Sequence, residues 1–313
     1  MILLYALLSL LLLGLIALLL AYRVAFYAPK ENGDQPIKLP GGEQYVACKE
    51  KTDALYWEMQ AIPFERVYTA APDGTRLSAL YHQVKAGAPL EIQIHGYRGS
   101  PYRDFCGGNH LARLAGHNTL VVEQRGHGES GGRTITFGIK ERFDCQAWVF
   151  YARERFGADT PIFLVGVSMG ASTVLMAGEL DLPDNVAGII ADSPFSSPAG
   201  IIQKVCGDMG LPEKPAMALV RLAARWIGGF DLDAAAAITA IGKSPVPVLL
   251  IHGEDDRFVP CDMSRELEKA ANGKAELHTF PGAGHGLSCI VDEERYLGVF
   301  SAFERRCLGR FFS

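Results

Sequence analysis

Six short apolar runs, separated by segments of helical pattern, constrain the fold of this 313-residue chain more than any other feature. Their sequences are PLEIQIHG, NTLVVEQ, PIFLVGV, NVAGIIADS, VPVLLIHG and AELHTF. Short runs of this kind are typical of strands buried on both faces, as in parallel sheets covered by helices. Two alternating runs around Pro72-Asp73-Gly74 predict a hairpin ahead of them. We therefore predict an α/β fold of three layers, with a doubly wound and mostly parallel sheet.

Helical patterns fill the segments between these runs. In residues 137–157, Ile139, Phe143, Ala147 and Phe150 recur at helical spacing with charged residues between them. This spacing predicts an amphipathic helix with these residues on its apolar stripe. Two later segments, CDMSRELEKAAN and DEERYLGVFSAFERRCL, predict helices in the same way.

The N-terminal segment contains no charged residue from Ile2 to Tyr22. A helix of this length spans about 30 Å, the thickness of a bilayer core. The run is longer than the apolar core of a signal peptide, and no Lys or Arg precedes it, which favours a retained single-pass anchor over a cleaved signal. Arg23 and Lys30 follow the run. The positive-inside tendency therefore favours the cytoplasm for the rest of the chain.

This interpretation divides the chain into three parts. We predict a transmembrane anchor over residues 1–28, a juxtamembrane linker and lead-in over residues 29–62, and a folded domain over residues 63–313. The net charge of −5, with no basic stripe, argues against a nucleic-acid partner. Seven dispersed cysteines, without CxxC or paired Cys/His spacing, argue against zinc and suggest thiols packed as small hydrophobes. No metal or organic cofactor is predicted, and the oligomeric state is left open.

Ser168 lies within GVSMG, where a predicted strand meets a helical pattern. A sharp turn there holds the serine in a strained conformation, and glycine at positions 166 and 170 removes the clashes that side chains would cause. Such a serine is either an ordinary turn residue or a nucleophile. The nucleophile reading requires a base, an orienting acid and an oxyanion site elsewhere in the chain. The N–H of Met169, at the start of the helix, is suited to a developing oxyanion.

Loops after the other predicted strands supply the missing groups. His285, in a glycine-flanked loop, is the candidate general base. The spacing in HGEDDRFVP selects Asp256 as the acid, with Asp255 next and Asp192 less favoured. The N–H of Tyr97, after IHG, is the second candidate oxyanion donor. All these residues follow strands, where ligands of such sheets bind.

With these motifs the chain resembles the α/β-hydrolase superfamily, and more closely its bacterial branch with serine aminopeptidase-like and prolyl-oligopeptidase-like signatures. The stretches that carry the resemblance are IHGYRGS, EQRGHGESGG, GVSMGAST, ADSPF, IHGEDDRFVP and GAGHG. Serine, aspartate and histidine follow one another in the order of that superfamily. By position, the resemblance implies Ser168 as nucleophile, Asp256 as acid, His285 as base, and the amides of Tyr97 and Met169 as oxyanion donors.

Residues from about 199 to 244 occupy the place where many relatives insert a lid, and they predict a small cap of two or three helical pieces. Met209, Leu211, Met217 and Phe230 either line an acyl pocket or pack as ordinary cap residues. A short cap suits small or medium acyl groups better than long lipid chains.

The expected function is that of a serine hydrolase acting on a small-molecule ester, with amides or short peptides second. A membrane-tethered binding protein without turnover, or an acyltransferase or peptidase of the same fold, is the alternative.

Overall fold

The structure is a computed structural model that describes residues 1–29 and 43–311. Lys30 and most of the Pro- and Gly-rich part of the predicted linker lie outside the described residues. Eight strands form one sheet in the order β1-β2-β4-β3-β5-β6-β7-β8. The strands are β1 (Glu65–Ala70), β2 (Arg76–His82), β3 (Leu90–Ile94), β4 (Asn118–Glu123), β5 (Ile162–Val167), β6 (Val186–Asp192), β7 (Val248–Gly253) and β8 (Ala275–Phe280).

The sheet is mostly parallel, as predicted. β2 pairs antiparallel with β1 and with β4, and the remaining neighbours pair in parallel. The described helices are α1 (Ile2–Ala25), α2 (Glu43–Gln60), α3 (Pro101–Ala115), α4 (Glu141–Phe156), α5 (Met169–Ala177), α6 (Pro198–Asp208), α7 (Glu213–Ala223), α8 (Ala237–Lys243), α9 (Asp262–Ala270), α10 (Ser288–Val291) and α11 (Glu293–Phe311).

Alternate residues of the central strands enter two separate apolar cores, because successive side chains point to opposite faces of a sheet. In β5, Leu164 packs in one core and Phe163 in the other. The first core holds side chains of α4, α5, α8 and α9, and the second holds those of α2, α3 and α11. The three-layer prediction is therefore confirmed.

The buried face of α4 differs from the predicted stripe. Phe150 is exposed, whereas Trp148 and Val149 are fully buried. Ile139 is buried but precedes the helix. The segment carries apolar residues on more than one side of the helix, so spacing alone fits two apolar stripes. Packing against the sheet buries the stripe that contains the large indole of Trp148.

The helix α2 was not predicted from the sequence. It occupies 18 residues of the segment interpreted as linker and lead-in, and its Leu55 and Met59 are buried in the core that contains α3 and α11. This helix therefore belongs to the folded body.

The chain just after α1 is also built into the folded body. Phe26 and Ala28 are fully buried. The N–H of Ile135 donates to the carbonyl oxygen of Phe26 at 2.7 Å, and the Phe26 ring meets that of Phe230 edge-on at 5.2 Å. By contrast, residues 1–16 are exposed on every side. The helix α1 is long and apolar enough to cross a membrane, a property that signal sequences near an N-terminus share.

A small helical cap follows β6. It consists of α6, α7, a π-helical turn (Ala224–Gly228) and α8, with breaks after Asp208 and Gly228. The hydroxyl of Ser197 accepts a hydrogen bond from the N–H of Gly200 at 3.0 Å and caps the start of α6. The helix α7 packs against α1.

Candidate active site

Ser168 occupies a strained turn between β5 and α5, with φ 56° and ψ −117°. A β-carbon at Gly166 would lie 2.3 Å from the carbonyl oxygen of Gly170, and one at Gly170 would lie 1.8 Å from that of Ile94. Both contacts are far below van der Waals distance, so the expectation that glycine is needed on either side of the serine is confirmed. The turn lifts the hydroxyl above the carboxyl end of the sheet.

A continuous hydrogen-bond chain joins Ser168, His285 and Asp256. The Ser168 Oγ lies 2.8 Å from His285 Nε2, and His285 Nδ1 lies 2.6 Å from Asp256 Oδ2. Because a carboxylate only accepts, Nδ1–H donates to Asp256 and Nε2 is left to accept the serine proton. The three residues, distant in sequence, therefore have the geometry that proton transfer from the hydroxyl requires.

The environment of Asp256 keeps its carboxylate charged. Its side chain is fully buried, and Oδ1 accepts from the N–H groups of Phe258 and Val259, each at 2.8 Å. Burial alone would raise the pKa of Asp256, but hydrogen bonds from His252 and His285 and from the Val259 amide outweigh it and hold that pKa well below its usual range. The carboxylate can thus orient His285 and stabilise its cationic form.

The two other carboxylates considered from the sequence lie elsewhere. Asp255 is exposed, and its backbone N–H donates to Ala283 in the turn. Asp192 is buried at the end of β6, accepts from the Ser193 hydroxyl at 2.9 Å, and has its pKa raised to about 6 by burial. The carboxylate that accepts the hydrogen bond from His285 Nδ1–H is that of Asp256.

The loop after β3 lies directly against Ser168. A β-carbon at Gly96 would be 3.3 Å from that of Ser168. In the part of the chain that the structure describes, neither the N–H of Tyr97 nor that of Met169 is paired with a backbone or side-chain acceptor. Two unpaired amides flanking the serine are suited to stabilising negative charge on a carbonyl oxygen.

Sequence reasoning missed three residues that support this arrangement. Asp104 of α3 accepts from the N–H of Gly96 at 2.8 Å and holds the loop. Tyr45 of α2 donates to the carbonyl oxygen of His285 at 3.0 Å. His252 lies beneath Asp256, with Nε2 3.3 Å from Oδ2. Of these three residues, His252 alone had a sequence signal. It is the histidine of HGEDD at the end of a predicted strand, just as His95 stands at the end of the predicted strand before Tyr97.

The partners of His252 settle its orientation. Nε2 lies 2.9 Å from the carbonyl oxygen of Val259, so this nitrogen carries the proton, and Nδ1 accepts from the Ser264 hydroxyl at 2.7 Å. The Nε2–H is thereby shared between Val259 and Asp256. His95 is a packed, fully buried histidine, and burial lowers its pKa to about 3.

Two cavities meet at Ser168. One, of about 540 Å³, has an almost wholly apolar lining that includes Met209 and Leu211. The other, of about 790 Å³, is lined by polar and charged residues as well as apolar ones, among them Tyr45, Arg103 and His285. Met217 and Phe230 are buried in the cap and line neither cavity. Among the described residues, no group of three or more His, Cys, Asp or Glu side chains is arranged to hold a metal ion.

A model of the alpha/beta hydrolase family matches residues 94–300, which include Ser168, Asp256 and His285. The chain belongs to this family, as its motifs predict. The uncharacterized protein YqkD of Bacillus subtilis is 27% identical over 195 residues, which cover 62% of this chain and 64% of YqkD.

Two solved structures have a fold similar to that of this chain. The Pyrococcus furiosus esterase PF2001 has a TM-score of 0.62 at 20% identity, over 87% of this chain and 97% of its own. Est1E of Butyrivibrio proteoclasticus, solved with ferulic acid, has a TM-score of 0.59 at 25% identity, over 79% of this chain and 100% of its own. The family match supports a hydrolase, and the solved structures share its fold.

Proposed function

We propose that the protein is a membrane-anchored serine hydrolase that cleaves carboxylic esters through an acyl-enzyme on Ser168. The hydrogen-bond chain from Ser168 through His285 to Asp256 is the observation that carries this proposal. The esterase PF2001 has the same fold.

In the first half of the reaction, Ser168 Oγ attacks the ester carbonyl carbon while its proton passes to His285 Nε2. The amides of Tyr97 and Met169 stabilise the oxyanion, and Asp256 stabilises the charged imidazole. His285 then returns the proton to the oxygen of the leaving alcohol, and the acyl-enzyme remains. In the second half, water gives a proton to His285, attacks the acyl carbon, and releases the acid and the Ser168 hydroxyl.

The test compares the full-length protein with Ser168→Ala and with Ser301→Ala, a matched change on the distant helix α11. We expect Ser168→Ala to lower hydrolysis of p-nitrophenyl butyrate by about 10⁴-fold or more, and to abolish labelling by a fluorophosphonate probe. Ser301→Ala should retain both. Equal rates in Ser168→Ala and wild type would exclude this nucleophile. Labelling without turnover of any ester, thioester or amide would favour the binding-protein alternative.

The membrane anchor is part of the proposal. Residues 1–16 expose apolar side chains on every side of a helix, an arrangement that a bilayer stabilises and water does not. We expect the full-length protein to stay in membranes after alkaline carbonate washing and to dissolve only in detergent. Arg23 supports a cytoplasmic domain, which protease protection in sealed vesicles of known orientation can check.

A further inference from the structure

The apolar cavity at Ser168 has the N-terminal helix as one of its walls. Ala17, Leu20, Ala21, Val24 and Ala25 line it from α1. Ile202, Val205 and Leu219 line it from the cap helices α6 and α7, and Ser168 lines it as well. A segment that would otherwise serve only as an anchor thus forms part of the site itself.

Hydrogen bonds fix α1 in this position. The Tyr97 hydroxyl donates to the carbonyl oxygens of Val24 at 3.1 Å and Ala25 at 3.0 Å. The Arg98 guanidinium donates to the carbonyl oxygens of Val24 and Tyr27, each at 2.9 Å. The last carbonyls of a helix have no partner within the helix, and a cation there also complements the helix dipole. Because both donors belong to the loop beside Ser168, the wall and the candidate oxyanion site are held together.

The cavity continues outward onto apolar surface. Leu20 and Val24 line it yet remain 56% and 59% exposed, and on the cap side Met209 is 60% exposed. These side chains adjoin the exposed apolar part of α1. An acyl chain could therefore move from a bilayer around α1 into the cavity without crossing water, whose contact with each methylene costs about 0.8 kcal/mol.

The second cavity offers a different environment on the other side of Ser168. Arg103, Lys204 and Arg257 line it together with Tyr45 and His285. An ester placed with its carbonyl at Ser168 would have an apolar chamber for its acyl chain and a polar chamber for its alcohol. This division matches an amphiphile with one chain.

We propose that the substrate is a single-chain ester amphiphile, with an acyl chain of about eight carbons or more, that reaches Ser168 from the bilayer along α1. The last two turns of α1 act as a wall of the acyl chamber. This proposal rests on the proposed esterase function, and it replaces the expectation from the short cap alone, since α1 supplies the wall that the cap lacks.

The test narrows the chamber from the α1 side. Ala17→Trp and Ala21→Trp place an indole at the wall, and Ala6→Trp makes the same change on the exposed part of α1. Full-length proteins in one detergent are assayed on p-nitrophenyl butyrate and decanoate, so that partitioning of substrate into micelles cancels in the comparison. We expect the two chamber variants to lower the decanoate-to-butyrate ratio of kcat/KM at least about tenfold, since three lost methylene contacts suffice for this change. Ala6→Trp should leave the ratio unchanged.

Unchanged ratios in folded Ala17→Trp and Ala21→Trp would overturn the chamber while leaving the esterase proposal intact. Folding is checked by thermal unfolding and by labelling with a small fluorophosphonate. If the wild-type protein hydrolysed neither ester, or if Ser168→Ala were as active as the wild type, the proposed function itself would be overturned.

A second measurement needs no chamber variant. A fluorophosphonate with a long alkyl chain and a terminal diazirine labels Ser168 in the wild-type protein, and light then crosslinks the chain end to its neighbours. We expect adducts on peptides from α1, α6 or α7. Adducts confined to α2 or α10, on the polar side, would contradict the proposed chamber.

Discussion

The hydroxyl of Tyr97 donates a hydrogen bond to the backbone oxygen of Ala25, 3.0 Å away, and so joins the loop beside Ser168 to the end of α1. The ring of Tyr97 stacks on Phe137 at 5.1 Å. Burial raises the pKa of Tyr97, so the hydroxyl stays protonated and able to donate. The loop after β3 and the N-terminal helix are therefore parts of one structural unit.

Tyr97→Phe removes this donor and leaves the ring and the backbone N–H in place. We expect the free energy of unfolding to fall by about 1 kcal/mol and kcat on the decanoate ester to fall severalfold, because the wall and the loop lose their connection. Thermal unfolding and steady-state rates measure both effects. Tyr68→Phe, which removes an exposed hydroxyl bonded to Glu129, is the matched control. Identical behaviour of the two variants would contradict a role for the Tyr97 hydroxyl.

Asp256→Asn and Asp255→Asn separate the two adjacent carboxylates. Asp256 is the carboxylate that accepts from His285 Nδ1. We therefore expect Asp256→Asn to lower kcat by about 10⁴-fold through loss of the productive tautomer of His285. Asp255→Asn should change kcat less than about twofold. A larger loss in the Asp255 variant would reverse the assignment of the acid.

His252 is predicted to act as a positioning residue through Asp256. Removing its donor in His252→Ala raises the pKa of Asp256, which burial already favours. A carboxylate that has lost one donor attracts the proton on His285 Nδ1 more strongly and favours the cationic imidazole, so the acidic limb of the pH profile of kcat/KM moves upward. We expect about a tenfold loss at neutral pH, the usual effect of losing one charge-assisted hydrogen bond. His252→Gln retains a donor and should restore the profile, and a profile in His252→Ala that matches the wild type would refute the role.

His117 is predicted to make stability depend on pH above neutrality. It lies between Glu304 at 2.7 Å and Glu91 at 2.9 Å. Burial alone would lower its pKa, but these hydrogen bonds outweigh burial and raise the pKa of His117 to about 9. The stabilisation is complete below the unfolded pKa of about 6.5 and is lost as pH rises through the folded value.

Thermal unfolding at several pH values between 6.5 and 9.5 should show this decline, of about 1–3 kcal/mol. His117→Gln should flatten the curve over this range. His278→Gln, on the edge strand β8, should keep the decline. A flat wild-type curve would contradict the role of this buried group.

Gly170→Ala tests the steric requirement of the turn. The added β-carbon would lie 1.8 Å from the backbone oxygen of Ile94, and backbone on both sides prevents relaxation. We expect strong destabilisation and loss of fluorophosphonate labelling. Gly207→Ala, in α6 with open space around it, should be neutral or stabilising by up to about 1 kcal/mol. Full labelling of Gly170→Ala would show that the turn tolerates a side chain.

The strands of the sheet and the three loops that meet at Ser168 could be foreseen because burial on both faces leaves an apolar signal in each central strand. The packing of helices could not. In α4 two apolar stripes compete, and in α2 the buried face includes the polar Thr52 beside Leu55 and Met59, so its burial appears only once α3 and α11 are in place.

The site was predictable where a motif reports a local backbone requirement, as at Ser168. Residues that act through tertiary contacts, such as Tyr45 and Asp104, leave no such pattern. The role of α1 had one overlooked signal: Ala17, Ala21 and Ala25 recur every four residues and so share one face of the helix. In a segment that is apolar throughout, this face cannot be recognised from the sequence, because contact with lipid and contact with an acyl chain both require apolar side chains.

The length of α1 that stands clear of the folded body has a further consequence. Sixteen residues reach about 24 Å, whereas the hydrocarbon core of a bilayer measures about 30 Å. If residues 1–16 are the part of α1 that enters the bilayer, as proposed above, the domain must approach the lipid without an intervening gap. With the anchor proposed above, Trp226, 77% exposed in the turn that contacts α1, would be brought towards the lipid surface, and the folded body would lie against the membrane rather than on a stalk above it.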